Sequence, residues 1–424
     1  MTEIRAVKGM NDVLPDEVSR WHRLEAAFRK SARLHGYAEV RTPIVEPTSL
    51  FVRSIGEATD IVEKEMYSFV DKGEDSLTLR PEGTAGAVRA LIEHKLHGLE
   101  PVTKWYYVGP MFRRERPARG RYRQFYQAGL ECFGDPGPFV DAEMIAMVTG
   151  LLGELGVENL EVLVNSLGAG ETRARYRQVL TDYFTPLASK LSPDSQRRLT
   201  KNPLRILDSK VDVDRELSAG APKLTDILSA EDRAHFDGLC AGLDALGVRY
   251  RIEASLVRGL DYYSRTLFEI QGSGGELGAQ NALCGGGRYD GLVESLGGPA
   301  VPSIGFAMGI ERILLAMAKE PAPPRVDVLV AVAAPELRAQ ALGVLRAIRA
   351  ANVAADADLR GQSLKSQLRR TERLGARFAV VLGPAEVERG VAQLKDLAAH
   401  TQTEVALEAL AATLLARLGT EGRE

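Results

Sequence analysis

The chain has 424 residues with a formal net charge of −3 and 45% hydrophobic residues, enough for two or three domains and a sizeable core. So balanced a charge excludes a protein that coats nucleic acid nonspecifically, and any RNA contact has to come from a local basic patch. Three widely spaced cysteines without a C-x-x-C argue against a disulfide frame or zinc site, and neither an apolar signal core nor a membrane-length apolar run is present, so a soluble cytoplasmic protein is expected.

In chain order, Lys8-Gly9-Met10-Asn11-Asp12 precedes a predicted helix over about 16–34, with Trp21, Leu24, Phe28 and Ala32 at helical spacing and Gly36 ending it. A short strand over 37–41 follows, closed by Thr42-Pro43. Leu77 to Thr84 reads as a strand entering a turn and then a helix from about Ala85. At such a helix start Glu82 and Thr84 are either capping residues or acceptors for a ligand's ammonium group. His94 and His97 lack a third nearby metal ligand and read as a solvated helix face, so no metal site is predicted.

The stretch from Trp105 to Gly134 predicts two antiparallel strands around a loop with six arginines, Arg113, Arg114, Arg116, Arg119, Arg121 and Arg123, against the single acid Glu115. Alternation on the second strand puts Tyr126, Ala128, Leu130 and Cys132 on a core side and Gln127, Gly129 and Glu131 on the other. At about 3.3 Å per residue, Gln127 and Glu131 stand roughly 13 Å apart, a span suited to two ends of one small ligand. Arg113 brings a bidentate phosphate-binding fork to the same surface.

Further on, an amphipathic helix is predicted over 141–155 and a strand over 160–165. A charged, helix-rich segment over about 168–246 reads as an inserted helical subdomain. Leu256 to Tyr263 is predicted to enter a strand pair continuing through 266–270, and the Gly285-Gly286-Gly287 run fits a hairpin connection. Ser303 to Arg312 reads as strand, glycine and helix, with Arg312 in the first helical turn, where a cation is unfavourable unless an anion sits there too. Beyond the linker Pro321-Ala322-Pro323-Pro324, strands over 326–332 and 378–382 and helices over 335–351, 363–375 and 404–418 predict a small α/β domain. No G-K dipeptide and no G-x-G-x-x-G occur, so a bound nucleotide would have to be held by arginines on a sheet rather than by a glycine loop.

The wording F-R-R-E-R-P-x-x-G-R-Y-R-Q-F followed by Q-x-x-x-E resembles the ATP-binding signature of class II aminoacyl-tRNA synthetases. R-P-E-G-T, R-G-L-D-Y-Y and G-G-G-R-Y-D-G-L resemble peptides of the histidine-specific branch, and G-x-x-x-G-x-E-R resembles the third class II signature. The resemblance implies an α+β catalytic domain with an antiparallel sheet over 1–320, carrying the helical insertion, and a C-terminal α/β anticodon-binding domain over 325–424. It also implies a homodimer, with the segment ending at Thr42-Pro43 at the interface. By resemblance, Arg113, Arg258 and Arg312 are catalytic. Glu82, Gly83, Thr84, Gln127, Glu131, Arg258, Tyr262 and Tyr263 bind histidine, with Glu131 and Tyr263 on its imidazole. Arg113, Glu115, Arg121, Phe125 and Arg312 bind ATP with Mg²⁺, and Arg116 and Arg119 meet the acceptor end of tRNA(His). The implied reaction is adenylation of histidine by ATP and transfer to the tRNA. An alternative is a non-catalytic paralogue acting as a regulatory subunit in histidine biosynthesis; such subunits usually lack the C-terminal domain and parts of the arginine set, which this chain keeps.

Overall fold

The structure, a computed structural model, describes residues 3–56, 59–257, 260, 262–277, 281–318 and 323–419. It forms two compact units, 1–320 and 321–424. None of the described helices is long and apolar enough to cross a membrane.

The first unit is built on an eight-stranded sheet with the spatial order Ala38–Glu39, Thr103–Phe112, Gln124–Phe133, Ser303–Gly309, Ala282–Arg288, Ser264–Gln271, Glu161–Ser166 and Tyr250–Ile252. All neighbours are antiparallel except the two outer pairs, which are parallel. The expected hairpin is the Thr103–Phe112 and Gln124–Phe133 pair, whose register sets Gly109 opposite Gln127 and Trp105 opposite Glu131. Next along the sheet, Gly305 faces Glu131 and Gly309 faces Gln127. Two strands distant in sequence therefore border the same small surface.

The first helix, Pro15–Leu34, starts with Pro at its first turn and ends where Gly36 takes φ of +78°. Its buried Leu24, Phe28 and Ala32 pack with Ala128, Leu130 and Cys132, the predicted core side of the hairpin strand. The helix expected over 141–155 spans Pro138–Glu154 and is not amphipathic. Its buried residues run from Val140 and Asp141 through Leu151 and Leu152, because it lies between the first helix, the Ser264–Gln271 strand and the Ala230–Ala245 helix. That last helix falls in the range read as an insertion, yet its Phe236, Leu239 and Leu243 join the main core. Earlier insertion residues Tyr176, Leu180 and Phe184 share a second core with Tyr263 and Tyr289.

Two local expectations are corrected. The described part of Leu256 to Tyr263 is not a strand; pairing starts at Ser264. The Gly285-Gly286-Gly287 run is not a hairpin connection but lies inside the Ala282–Arg288 strand. Packing explains it: a Cβ on Gly286 would come within 2.6 Å of Phe306 Cβ and 2.7 Å of Phe268 Cζ, distances no side chain tolerates.

The second unit has a five-stranded sheet, Ala355–Ala357, Val328–Val332, Phe378–Leu382, Val391–Asp396 and Thr401–Ala406, with the first three strands parallel and the rest antiparallel. The helix expected from about Glu404 starts only at Leu410, since 401–406 pairs as the edge strand of this sheet.

Candidate active site

A cleft opens over the centre of the large sheet. Gln127, Cys284, Gly285, Gly305 and Ala307 line its floor; Glu82, Thr84, Tyr262, Tyr263 and Tyr289 line it too, as do Arg113, Arg121, Tyr122, Phe125, Glu311 and Arg312. Of the residues expected to meet a ligand, Glu82, Thr84, Gln127, Tyr262, Tyr263, Arg113, Arg121, Phe125 and Arg312 are thus brought together. Arg258 lies outside the described residues.

Glu82 meets the ordinary expectation for a helix start: its carboxylate accepts from Thr84 N at 2.6 Å and Ala85 N at 2.9 Å, capping the Thr84–Glu93 helix. It also lines the cleft, so capping and ligand contact are compatible. Burial pushes its pKa up, opposed by these two N–H groups and by Arg113. Gly83 is not in the cleft lining; its missing side chain makes room for the Tyr107 ring, which a Cβ would overlap.

Glu131 is fully buried at the floor of the cleft, its carboxylate against Gly305, a lining residue. Thr84 Oγ1 donates to its Oε1 at 2.7 Å, Tyr107 Oη to the same oxygen at 3.2 Å, and Tyr289 Oη to its Oε2. Tyr289 lines the cleft as well. Burial pushes the Glu131 pKa up to about 8 against these hydrogen bonds. A carboxyl raised in the folded state holds its proton there after the unfolded chain has lost it. Its favourable contribution is complete below the unfolded pKa and lost as pH rises through about 8. Glu131→Gln cannot titrate. The stability difference between wild type and this variant, followed by denaturation midpoints, is expected to shift toward the variant between about pH 5 and pH 8, by up to about 1.4 kcal/mol per pH unit. A difference that stays flat over that range would refute the buried, proton-holding carboxyl.

Gln127 shows the reverse arrangement. Its Oε1 is buried and has no hydrogen-bond partner among the described residues, an arrangement that favours an N–H donor from a ligand. Arg113 is half-buried, its guanidinium 5.3 Å from the Phe125 ring centroid and its Nε donating to Pro81 O at 2.8 Å. Desolvation lowers its pKa. Arg312 is braced on main chain from two other elements, Nε to Gly120 O at 3.2 Å and Nη1 to Ala282 O at 3.0 Å.

Glu115 does not line the cleft; it pairs with Arg121, tying the loop to itself. Arg119 pairs with Glu276, and Arg116 is exposed; both sit off the cleft, where a larger partner can reach them.

Sequence reasoning missed Tyr107, Tyr289, Glu311 and Arg173. Tyr289 was signalled only by its place in the glycine motif. Tyr107 faces Gly129 across the hairpin, a pairing of large and small that the register could have suggested. Glu311 lines the cleft beside Arg312, accepts from Tyr126 N at 2.9 Å, and is pushed up to about 7 by burial. Arg173, from the insertion, donates to Tyr263 O at 2.7 Å and so fixes the main chain beside a cleft residue.

Comparison with known proteins gives one consistent result. The family model described as histidyl-tRNA synthetase matches residues 9–313, and that described as anticodon binding domain matches 327–417. The chain is 59% identical over 415 residues to the histidine–tRNA ligase of Sorangium cellulosum, covering 98% of this chain and 97% of that protein. It is 51% identical over 413 residues to the histidine–tRNA ligase of Anaeromyxobacter dehalogenans, covering 97% and 99%. The crystal structure of apo histidyl-tRNA synthetase from S. aureus is similar with a TM-score of 0.82 at 36% identity, covering 97% of this chain and all of that one.

Proposed function

The chain belongs to the histidyl-tRNA synthetase family, and on that premise we propose that it is a histidine–tRNA ligase, which activates histidine with ATP and transfers it to the 3′ end of tRNA(His). The observation that carries this reading is a single cleft combining braced guanidiniums, Arg113 and Arg312, with an unpartnered buried acceptor, Gln127 Oε1. The first two suit a polyphosphate and the third an ammonium group.

In this reading histidine's ammonium group meets Gln127, Glu82 and Thr84. Its imidazole lies between Tyr263 and Glu131, whose carboxyl is held by the Tyr289 and Thr84 hydroxyls. The substrate carboxylate is ionised at pH 7, so it attacks the α-phosphorus without a general base. Pyrophosphate leaves, and histidyl-adenylate remains. Catalysis is then positioning and charge stabilisation: Arg113 on the α-phosphate with Phe125 beside it, Arg258 approaching it from the amino-acid side, Arg312 on the terminal phosphate, and Arg121, paired with Glu115, also toward the triphosphate. The terminal adenosine of the tRNA next attacks the adenylate carbonyl, with Arg116 and Arg119 outside the cleft for the acceptor end.

Mg²⁺ fits the residues present in a limited way. Among the described residues no group of three metal-ligating side chains exists, but Glu311 is a buried carboxyl in the cleft lining beside Arg312. One carboxylate plus substrate phosphates is the usual holding of this ion. When bound, it neutralises phosphate charge. We further propose that the protein acts in the cytoplasm as a homodimer.

The regulatory-paralogue alternative is not favoured, because relatives matching nearly the whole chain are named histidine–tRNA ligases. The test is ATP–pyrophosphate exchange with each proteinogenic amino acid separately, without tRNA. Exchange with histidine alone is expected; none, from a folded protein that binds histidine, would overturn the reading in favour of a regulatory role.

A further inference from the structure

The Val7–Met10 segment, which the chemistry above leaves without a role, reaches the arginine loop. Met10 N donates to Val7 O at 2.8 Å, closing a turn. Its third residue, Gly9, has φ of +86°, the sign a type II turn demands there. The turn aims the Gly9 carbonyl at the base of the loop, where it accepts from Arg123 N at 2.7 Å and Gln124 N at 3.3 Å. Arg123 O in turn accepts from Arg113 N at 2.9 Å. Gly9, Arg123 and Arg113 are therefore consecutive links of one main-chain ladder, ending at a guanidinium of the cleft. On the side chains, Arg123 Nε donates to Glu115 O at 3.2 Å and its Nη1 to Lys8 O at 3.4 Å. Elsewhere the loop is held by Arg114 N on Glu65 O at 2.7 Å, by Arg312 Nε on Gly120 O at 3.2 Å and by the Arg119–Glu276 pair.

We propose that Val7–Met10 is a clasp on the arginine loop and that Gly9 is a positioning residue for ATP: by fixing the main chain at Arg123 it holds Arg113 and Arg121 where a triphosphate meets them. The proposal rests on the ATP reading of the cleft. Only glycine serves at this position. Besides the positive φ, a Cβ there would lie 2.9 Å from Pro117 Cγ and 3.0 Å from Arg123 Cγ, so a side chain pushes the turn off the loop that it anchors.

The test uses the full chain with Gly9→Val and Gly9→Asn. For Gly9→Val, the KM for ATP in histidine-dependent exchange is expected to rise roughly tenfold or more, as displaced positioning groups cause, with the KM for histidine within about twofold. Trypsin is expected to cleave after Arg119 or Arg121 faster than in wild type, a readout independent of activity. Gly9→Asn, which tolerates positive φ, should fall between, and it carries both measurements if Gly9→Val does not fold. Equal changes in both KM values, or loop cleavage at the wild-type rate, would overturn the clasp. Wild type without any exchange would instead sink the ATP reading, while the trypsin comparison would still decide whether the segment holds the loop.

Discussion

Arg113→Ala is expected to lower the kcat/KM of histidine-dependent pyrophosphate exchange by about 10²–10³-fold, the usual cost of removing one preorganised donor from a developing charge, while histidine binding persists. The reason is how this guanidinium is held. Its Nε is committed to the Pro81 carbonyl and its plane lies near the Phe125 ring, so the fork is oriented before any ligand arrives. Neither Nη group has a hydrogen-bond partner among the described residues, and the surrounding burial lowers the guanidinium pKa. A half-buried cation without a carboxylate in contact is costly unless an anion comes to it. Arg113→Lys is expected to restore only part of the loss, because an ammonium supplies charge without the bidentate fork. Exchange kinetics beside histidine binding measured by calorimetry check this. A drop below about tenfold, or a parallel loss of histidine affinity, would remove Arg113 from the reacting phosphate.

Much of this site was legible because strand alternation is local. The hairpin sequence alone separates Ala128, Leu130 and Cys132 from Gln127 and Glu131, and the structure buries the first three in the core. Depth was not legible. Glu131 is sealed by Thr84, Tyr107 and Tyr289, and of these three hydroxyls only Tyr107 belongs to the hairpin, so nothing within it announces Thr84 or Tyr289. Likewise the glycine run resembles a turn until Phe268 and Phe306 from neighbouring strands are seen to fill the space over it. In the C-terminal unit, Val391–Asp396 and Thr401–Ala406 are rich in Ala, Gln, Glu and Leu, which favour helix. Pairing of Val391–Asp396 to the buried Phe378–Leu382 strand, and of Thr401–Ala406 to Val391–Asp396, overrides that preference. Family peptides pointed to the residues of the cleft and the helix start to Glu82 as a cap, whereas the role of Gly83 as space for Tyr107 emerged only from packing.

The same limitation hid the group on which stability should depend most. Asp141 and Arg288, 147 residues apart, are both fully buried and meet with Nη2–Oδ1 at 2.7 Å and Nε–Oδ2 at 2.9 Å. Thr266 Oγ1 at 2.6 Å and His235 Nε2 at 3.0 Å share Oδ2, and Arg288 Nη1 donates to Asp135 O at 2.9 Å. One carboxylate thus joins the Pro138–Glu154 helix, the Ala230–Ala245 helix and two sheet strands. Asp141→Ala strips the buried guanidinium of its bidentate partner and leaves it only Asp290 Oδ1 at 3.3 Å, and a loss of about 3 kcal/mol is expected in chemical denaturation. Against a total of about 5–15 kcal/mol for a typical domain, that is severe. Asp141→Leu combined with Arg288→Met removes both charges and is expected to be much less damaging than the single change, since a desolvated pair gives little net stability over apolar packing. The reverse order, with the double variant worse, would mean that the pair contributes beyond mutual neutralisation. Function should suffer in the single variant even where it stays folded. Tyr289 follows Arg288 directly in the chain and donates to Glu131, so loosening Arg288 shifts the hydroxyl that holds the carboxyl proposed to face the imidazole. The expected sign is a raised KM for histidine with that for ATP little changed, opposite to the split expected of Gly9→Val. Comparing the two variants separates the support beneath the amino acid from the clasp beside the triphosphate.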